Sequence, residues 1–312
     1  MTTTVTSLTV PVEPRKLSAR RNGPLALLRG VLRSKSGLAA IIAILFLLVV
    51  AVGAEWIAPF DPEKQDVSLS FSPPSWMGGA EGHLLGTDQL GRDTFSRVVY
   101  GLRLSLVIGI GAATISAFIG LFLGILSGYF ENSIGIVLMR LADIQFALPF
   151  VAVALALTAV IGPGALGLII LLGLWGWTVY ARTIASTVSQ VKRLDYVVAS
   201  RTMGASTWSI LVRHIAPAVL GPVIILWSTS CGVLVLAESS LSLLGLGVQA
   251  PEFSIGTILS EAQVNLRLAP WAVVAPGLVL VMLILGFSTL GDAMRDNLGG
   301  RSKTPVRNPE LV

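Results

Sequence analysis

Of 312 residues, 54% are hydrophobic, only 12% are charged, and the formal net charge is +5. So few polar residues cannot cover a soluble globule, and the apolar residues fall in long blocks, so an integral membrane protein is expected. The basic residues lie between those blocks instead of forming one face, which argues against nucleic acid, and the single Cys231 excludes a disulfide framework or a cysteine metal cluster.

Residues 1–37 form a polar arm whose first part, 1–24, is rich in Thr, Ser, Pro and Arg and cannot bury a core. Leu38–Ala58 is the first of six apolar runs of about 20 residues, the length that crosses a bilayer. Arg-rich residues before it and Ala51-Val52-Gly53 near its end imitate a secretory signal. Its apolar core exceeds an h-region of about 7–15 residues, so an uncleaved anchor is expected. Segment 59–103 follows, with Pro59, Pro62, Pro73, Pro74, Gly78 and Gly79 as turn formers. In its later part Asp88, Arg92, Asp93 and Arg97 can pair with one another at the membrane surface and hold a lid-like loop over a pathway. A solvated collar that merely positions the next span is the alternative.

A core, 104–292, comes next. The second span, Leu104–Gly128, carries Gly120, Gly124 and Gly128 at four-residue spacing, which permits close approach of a neighbouring backbone. The third, Ile136–Ile161, opens near Arg140 and Asp143, three apart and suited to a local ion pair, and contains Pro149, which can kink it. Trp175, Trp177 and Tyr180 lie near the middle of the fourth, Ala165–Thr187, where bundle packing is their expected use.

Between the fourth and fifth spans stands a polar, glycine-interrupted insert, Asp195 to Pro217, DYVVASRTMGASTWSILVRHIAP. Asp195 can cap a short helix through Ala199 and Met203, Gly204 can break it, and Ser206 can start a second helix toward Arg213. Pro217 then fits the first turn of the next membrane helix. The pattern predicts a stiff lateral knob of two short helices. The fifth span, Val219–Leu243, holds Glu238, a carboxylate costly in hydrocarbon; the sixth is Trp271–Leu290, and a tail, 293–312, follows.

Six spans put both termini on one side. Arg15, Lys16, Arg20, Arg21, Arg29, Arg33 and Lys35 precede the first span, and Arg140, Arg182, Lys192, Arg193, Arg201, Arg213, Arg295, Arg301, Lys303 and Arg307 fall in or beside alternate loops and the tail. By the positive-inside rule this side, with both termini and the 195–217 loop, is cytoplasmic, and segment 59–103 is external.

Three motifs carry a family resemblance. The spacing of Ala199, Gly204, Ile210 and Pro217 resembles the EAA loop of permease subunits of bacterial ABC importers; Val198, Ala199 and Ser200 stand where that family has Glu-Ala-Ala. Leu85-Gly86-Thr87-Asp88, Gly91-Arg92-Asp93 and Ser96-Arg97, then Gly101-Leu102-Arg103-Leu104-Ser105, look like the signature of C-type permeases of dipeptide, oligopeptide and nickel importers. The run Val235 to Val248 around Glu238 resembles the same subunits.

The resemblance implies an all-α type I ABC importer permease fold with six transmembrane helices in a bacterial inner membrane. Implied partners are a B-type permease, two ATPase subunits or one fused ATPase that bind ATP and Mg, and an extracytoplasmic substrate-binding protein. No cofactor, metal or nucleic acid is implied for this chain. Asp195, Ala199, Arg201, Gly204, Ala205, Ser206, Ile210, His214 and Pro217 become the ATPase-coupling set. Glu238 either lines the pathway, where it could attract a peptide's amino group, or holds the bundle as a paired carboxylate. Peptide is the first expectation for the substrate, with nickel, haem and glutathione as alternatives.

The sequence has no G-x-x-x-x-G-K-[ST], so it carries no phosphate loop of that type. His83 and His214 fall on opposite sides and cannot share a metal. An ion-gradient transporter is the main rival; it predicts paired intramembrane charges and an inverted repeat with broken helices. A membrane enzyme is weaker, for want of a nucleophile, base and oxyanion site together.

Overall fold

A backbone entering hydrocarbon must satisfy its own amides, and the long apolar runs of this chain do so as helices. The computed structural model describes residues 30–130, 133–162 and 164–298. Its helices are α1 (Lys35–Val52), α2 (Ala54–Ile57), α3 (Thr94–Tyr129), α4 (Ser133–Ala147), α5 (Phe150–Ile161), α6 (Ala165–Val191), α7 (Asp195–Thr202), α8 (Thr207–Ile210), α9 (Ala216–Leu243), α10 (Ile255–Gln263) and α11 (Pro270–Leu298). The polar stretch 1–24, and all of the tail beyond Leu298, lie outside the described residues.

Among the described residues, α1, α3, α6, α9 joined to α8, and α11 are each long and apolar enough to cross a membrane. The third expected span is different. It is two helices, α4 and α5, meeting at 96°, and counts as a sixth crossing only when taken as a pair. A kink at Pro149 understates this. Pro149 has extended backbone (φ −68°, ψ 120°) and serves as the N-cap of α5, and a residue preceding proline is itself pushed away from helix. The chain therefore leaves α4 at Leu148 and starts afresh.

The three glycines of α3 lie against α6. A Cβ at Gly124 would stand 2.8 Å from the Ala181 carbonyl oxygen, one at Gly128 2.6 Å from that of Ala185, and one at Gly120 2.6 Å from that of Trp177. Backbone meets backbone along this seam, as small residues at four-residue spacing allow. On its other side α3 meets α9, and Trp227 of α9 donates its indole N–H to Thr114 Oγ1 at 3.1 Å. Next, α9 is joined to α11 by Ser228 Oγ donating to the Phe287 carbonyl at 3.0 Å. The outermost helix is α1: Ile44 packs at Gly286 of α11, while Ile42, Leu45, Phe46 and Val49 are exposed on a face suited to lipid.

Chain direction follows from these contacts. Gly30 lies beside Asn297, and Lys192 Nζ donates to the Tyr129 carbonyl at the end of α3 (3.2 Å). Both ends of the described chain thus share one end of the bundle with the 195–217 loop. The opposite end is built from segment 58–93, the head of α3, α10 and the start of α11, with the Trp271 indole N–H donating to the Thr87 carbonyl at 3.3 Å.

Candidate functional site

The 195–217 loop forms the predicted knob, with two differences in how its helices begin and end. Leu194, not Asp195, is the N-cap of α7; its backbone is extended (ψ 141°) and contributes no side-chain cap. Asp195 enters the first turn, where a carboxylate favours the positive end of the helix dipole. Gly204 ends α7 at φ +84°, the left-handed conformation glycine adopts without penalty. Ser206 caps α8, its Oγ accepting from the Ser209 N–H at 3.3 Å.

The second arm does not stop at Arg213. One π turn, Leu211–Ile215, carries α8 straight into α9, with the Ala216 N–H bonded to the Leu211 carbonyl. Pro217 lies in the first turn of α9, as expected, but that turn is continuous with α8. The wider turn leads into a residue that has no N–H and crowds the carbonyl four places back.

Val197, Ile210 and Ile215 are buried with Ile184 and Val188 of α6, so the knob has an apolar root in the bundle. Ile210, named in the coupling set, belongs to this buried root. Asp195, Ala199, Arg201, Gly204, Ser206 and Pro217 are exposed, while Ala205 and His214 are half-buried. His214 Nε2 lies 3.3 Å from Ser200 Oγ and its ring is 5.7 Å from that of Tyr196, bracing one arm on the other. Sequence reasoning missed the crest: Met203 is 81% exposed and Trp208 75% exposed, on either side of Gly204. Large apolar residues beside a glycine break, within a polar loop, were the available signal.

At the opposite end the four expected charges do not form one cluster. Asp88 Oδ2 accepts from Arg92 Nε at 2.7 Å and from Arg97 Nη1 at 2.6 Å. Both arginines also reach Glu261 of α10, at 2.7 and 2.8 Å, and Arg97 stacks over Phe253, 5.0 Å from its centroid. Asp93 faces elsewhere. Its Oδ2 accepts the Ser96 N–H at 2.7 Å, capping α3, and its Oδ1 lies 2.9 Å from His83 Nδ1, with Phe60 stacked on the imidazole at 4.4 Å. Capping geometry at a helix start claims an aspartate three residues before its partner amide. Glu261 and His83 were missed because nothing local marks them.

Glu238 is fully buried inside this chain. Its Oε1 accepts from Ser242 Oγ at 2.8 Å and from Ser254 Oγ at 2.6 Å, and Ser239 Oγ lies 3.4 Å from Oε2. Ser254 is in turn the N-cap of α10, and the Ile255 N–H donates to Ser105 Oγ of α3 at 3.0 Å. The carboxylate thus ties α9 to α10 beside α3; the pathway-lining reading gives way to the bundle-holding one.

A fourth group lies between α4 and α6. Arg140 and Arg182, counted with the charges in or beside alternate loops, both sit inside helices. Asp143 pairs with Arg182 at 2.6 Å and stands 3.9 Å from Arg140. Gln145 Nε2 donates to the Trp175 carbonyl at 2.6 Å and its Oε1 accepts from Trp177 Nε1 at 2.7 Å. These two tryptophans therefore lock α4 to α6 through polar bonds as well as packing.

Comparison with known proteins agrees with this arrangement. A family profile described as binding-protein-dependent transport system inner membrane component matches residues 120–304. A second, the N-terminal TM domain of oligopeptide transport permease C, matches 27–74. The chain is similar to a di/tripeptide transport system permease protein of Pseudomonas aeruginosa, 37% identical over 271 residues that cover 86% of this chain and 89% of the relative. It is 34% identical over 277 residues to a glutathione transport system permease protein of Pectobacterium atrosepticum, covering 88% and 90%. A dipeptide transport system permease protein of Haemophilus influenzae is 33% identical over 273 residues, covering 86% and 92%. The chain belongs to the binding-protein-dependent inner membrane component family and is a C-type permease subunit of an ABC importer.

Proposed function

We propose that this permease passes short peptides across a bacterial inner membrane, pairing with a B-type permease to enclose the route. The knob of α7 and α8 faces the cytoplasm with both termini and docks on an ATPase subunit, one of two or half of a fused one, which binds ATP and Mg. An extracytoplasmic binding protein delivers substrate at the end formed by segment 58–93 and α10.

One observation carries the coupling: a knob rooted through Val197, Ile210 and Ile215 presents Met203 and Trp208 to solvent. A buried root with an exposed apolar crest is what force transfer to another protein needs, since aromatic anchors dominate interface energy. Peptide is preferred because the Pseudomonas aeruginosa relative, 37% identical, is named for di- and tripeptides and the Haemophilus influenzae one for dipeptides; glutathione is the second reading, favoured by the Pectobacterium atrosepticum relative. The ion-gradient reading is disfavoured because the chain belongs to a family of binding-protein-dependent transport components.

The test is Trp208→Ala in the complex reconstituted with its partners. Loss of one anchor of about 2 kcal/mol predicts roughly 30-fold weaker ATPase association and loss of peptide-stimulated hydrolysis. Unchanged stimulation would refute the docking.

A further inference from the structure

The charges between α4 and α6 have no role in the knob, in the cluster at the opposite end, or in the serine ring around Glu238. Arg182 lies nine residues before the end of α6 and Asp143 ten after the start of α4. Both counts put the group about 14 Å inside the bundle from the knob end. Within this chain the side chains remain open: Arg140 is 77% exposed, Asp143 50% and Arg182 46%. Ionised groups inside a membrane-crossing segment avoid lipid and face a water-filled cavity or a neighbouring subunit.

A second, independent feature points away from lipid. The helix breaks at Leu148–Pro149, within two turns of Asp143, and non-helical backbone at membrane depth is tolerated where it is buried in protein or borders a cavity. The walls are prepared. Arg182 stacks on Phe146 at 4.5 Å, Phe150 lies 5.1 Å from Trp175, and Gln145 is fixed by both tryptophans. The charge is unbalanced. Arg182 and Asp143 are tightly paired, whereas Arg140 reaches Asp143 only at 3.9 Å, leaving one guanidinium in excess with donors to spare.

We propose that this group is a carboxylate station on the translocation route, where Arg140 receives the C-terminal carboxylate of the passing peptide and the Phe146–Trp175 wall receives its side chains. This rests on the peptide reading above. Asp143 and Phe146 are positioning groups: they hold Arg182 aside, so that Arg140 is the guanidinium presented to substrate. A guanidinium matches a carboxylate with paired N–H donors, while an amide terminus cannot complete the charged pair.

The experiment measures uptake into proteoliposomes holding the full importer, with one dipeptide as its free acid and as its C-terminal amide. The binding protein's own preference is common to all variants, so the acid-to-amide ratio relative to wild type isolates the permease. Arg140→Gln is expected to lower that ratio about tenfold, the usual scale of one charge-assisted bond, with Arg140→Lys, which restores the charge but not the paired donors, recovering part of it. An unchanged ratio in Arg140→Gln, or equal loss for acid and amide, overturns the station and leaves peptide import standing. A wild-type complex that takes up neither form overturns the peptide reading and the station with it.

Discussion

Arg97 holds the joint at the head of α3, and removing its guanidinium tests whether that joint fixes α10. Arg97→Ala deletes bonds of 2.6 Å to Asp88 and 2.8 Å to Glu261 from a side chain only 3% exposed. Each such bond is worth about 1.5–3 kcal/mol. Glu261 is 38% exposed and keeps Arg92, so solvent and the remaining arginine offset most of its share. The Asp88 bond does not touch α10, so what bears on that helix is the remainder of the Glu261 bond and the Phe253 contact, about 1–1.5 kcal/mol, which at roughly 1.4 kcal/mol per decade lets α10 open about 5- to 12-fold more often. Hydrogen–deuterium exchange of peptides covering Ile255–Gln263 reads this directly, with the Asp195–Thr202 helix as internal reference. Less than about threefold acceleration at α10, or equal acceleration at both helices, would refute the reasoning.

Gly124→Val should cost about 1–3 kcal/mol of stability in detergent, because its Cβ meets a backbone carbonyl at 2.8 Å that cannot rotate away. Gly111→Ala, facing only the Ile169 side chain at 3.3 Å, should be tolerated in the same thermal-unfolding assay. Glu238→Gln should stay within about 1 kcal/mol of wild type, since the amide oxygen can accept from both Ser242 and Ser254. Glu238→Leu strands those hydroxyls and should cost about 2–4 kcal/mol; equal unfolding temperatures for the two variants would contradict the serine ring. Because Cys231 is buried, a cysteine at Met203 should react with an impermeant maleimide only from the cytoplasmic side, and one at Met77 only from outside. The reverse labelling would invert the proposed topology.

What the sequence revealed and what it hid divide along physical lines. Apolar run length, the glycine seam and the knob's Gly204 break are local properties, and each is present where its residues predict. Pro149 signalled a disturbance but not its size, because the 96° angle depends on where α5 finds packing against α6. Asp93 and Asp88 have similar sequence surroundings, yet one caps α3 and the other joins an ion cluster; only the helix start at Thr94 separates them. Glu261 lies 169 residues from Arg92 and Ser254 16 from Glu238, so neither partner could be paired by spacing. Arg140 and Arg182 read as charges in or beside loops because positive residues cluster on that side, and their distance from the helix ends emerged only with the structure.

The seam between α3 and α6 has a mechanical consequence. Where carbonyl oxygens sit against glycine Cα atoms there is no cushion of side chains to shear, so a small displacement meets hard repulsion at once. Such an interface behaves as a weld: it either holds register or jumps by a full helical turn of about 5.4 Å. A push on the root of the knob at Ile184 and Val188 is then delivered along the whole length of α3 without slack, and bending is left to the sharp break between α4 and α5 at Leu148–Pro149.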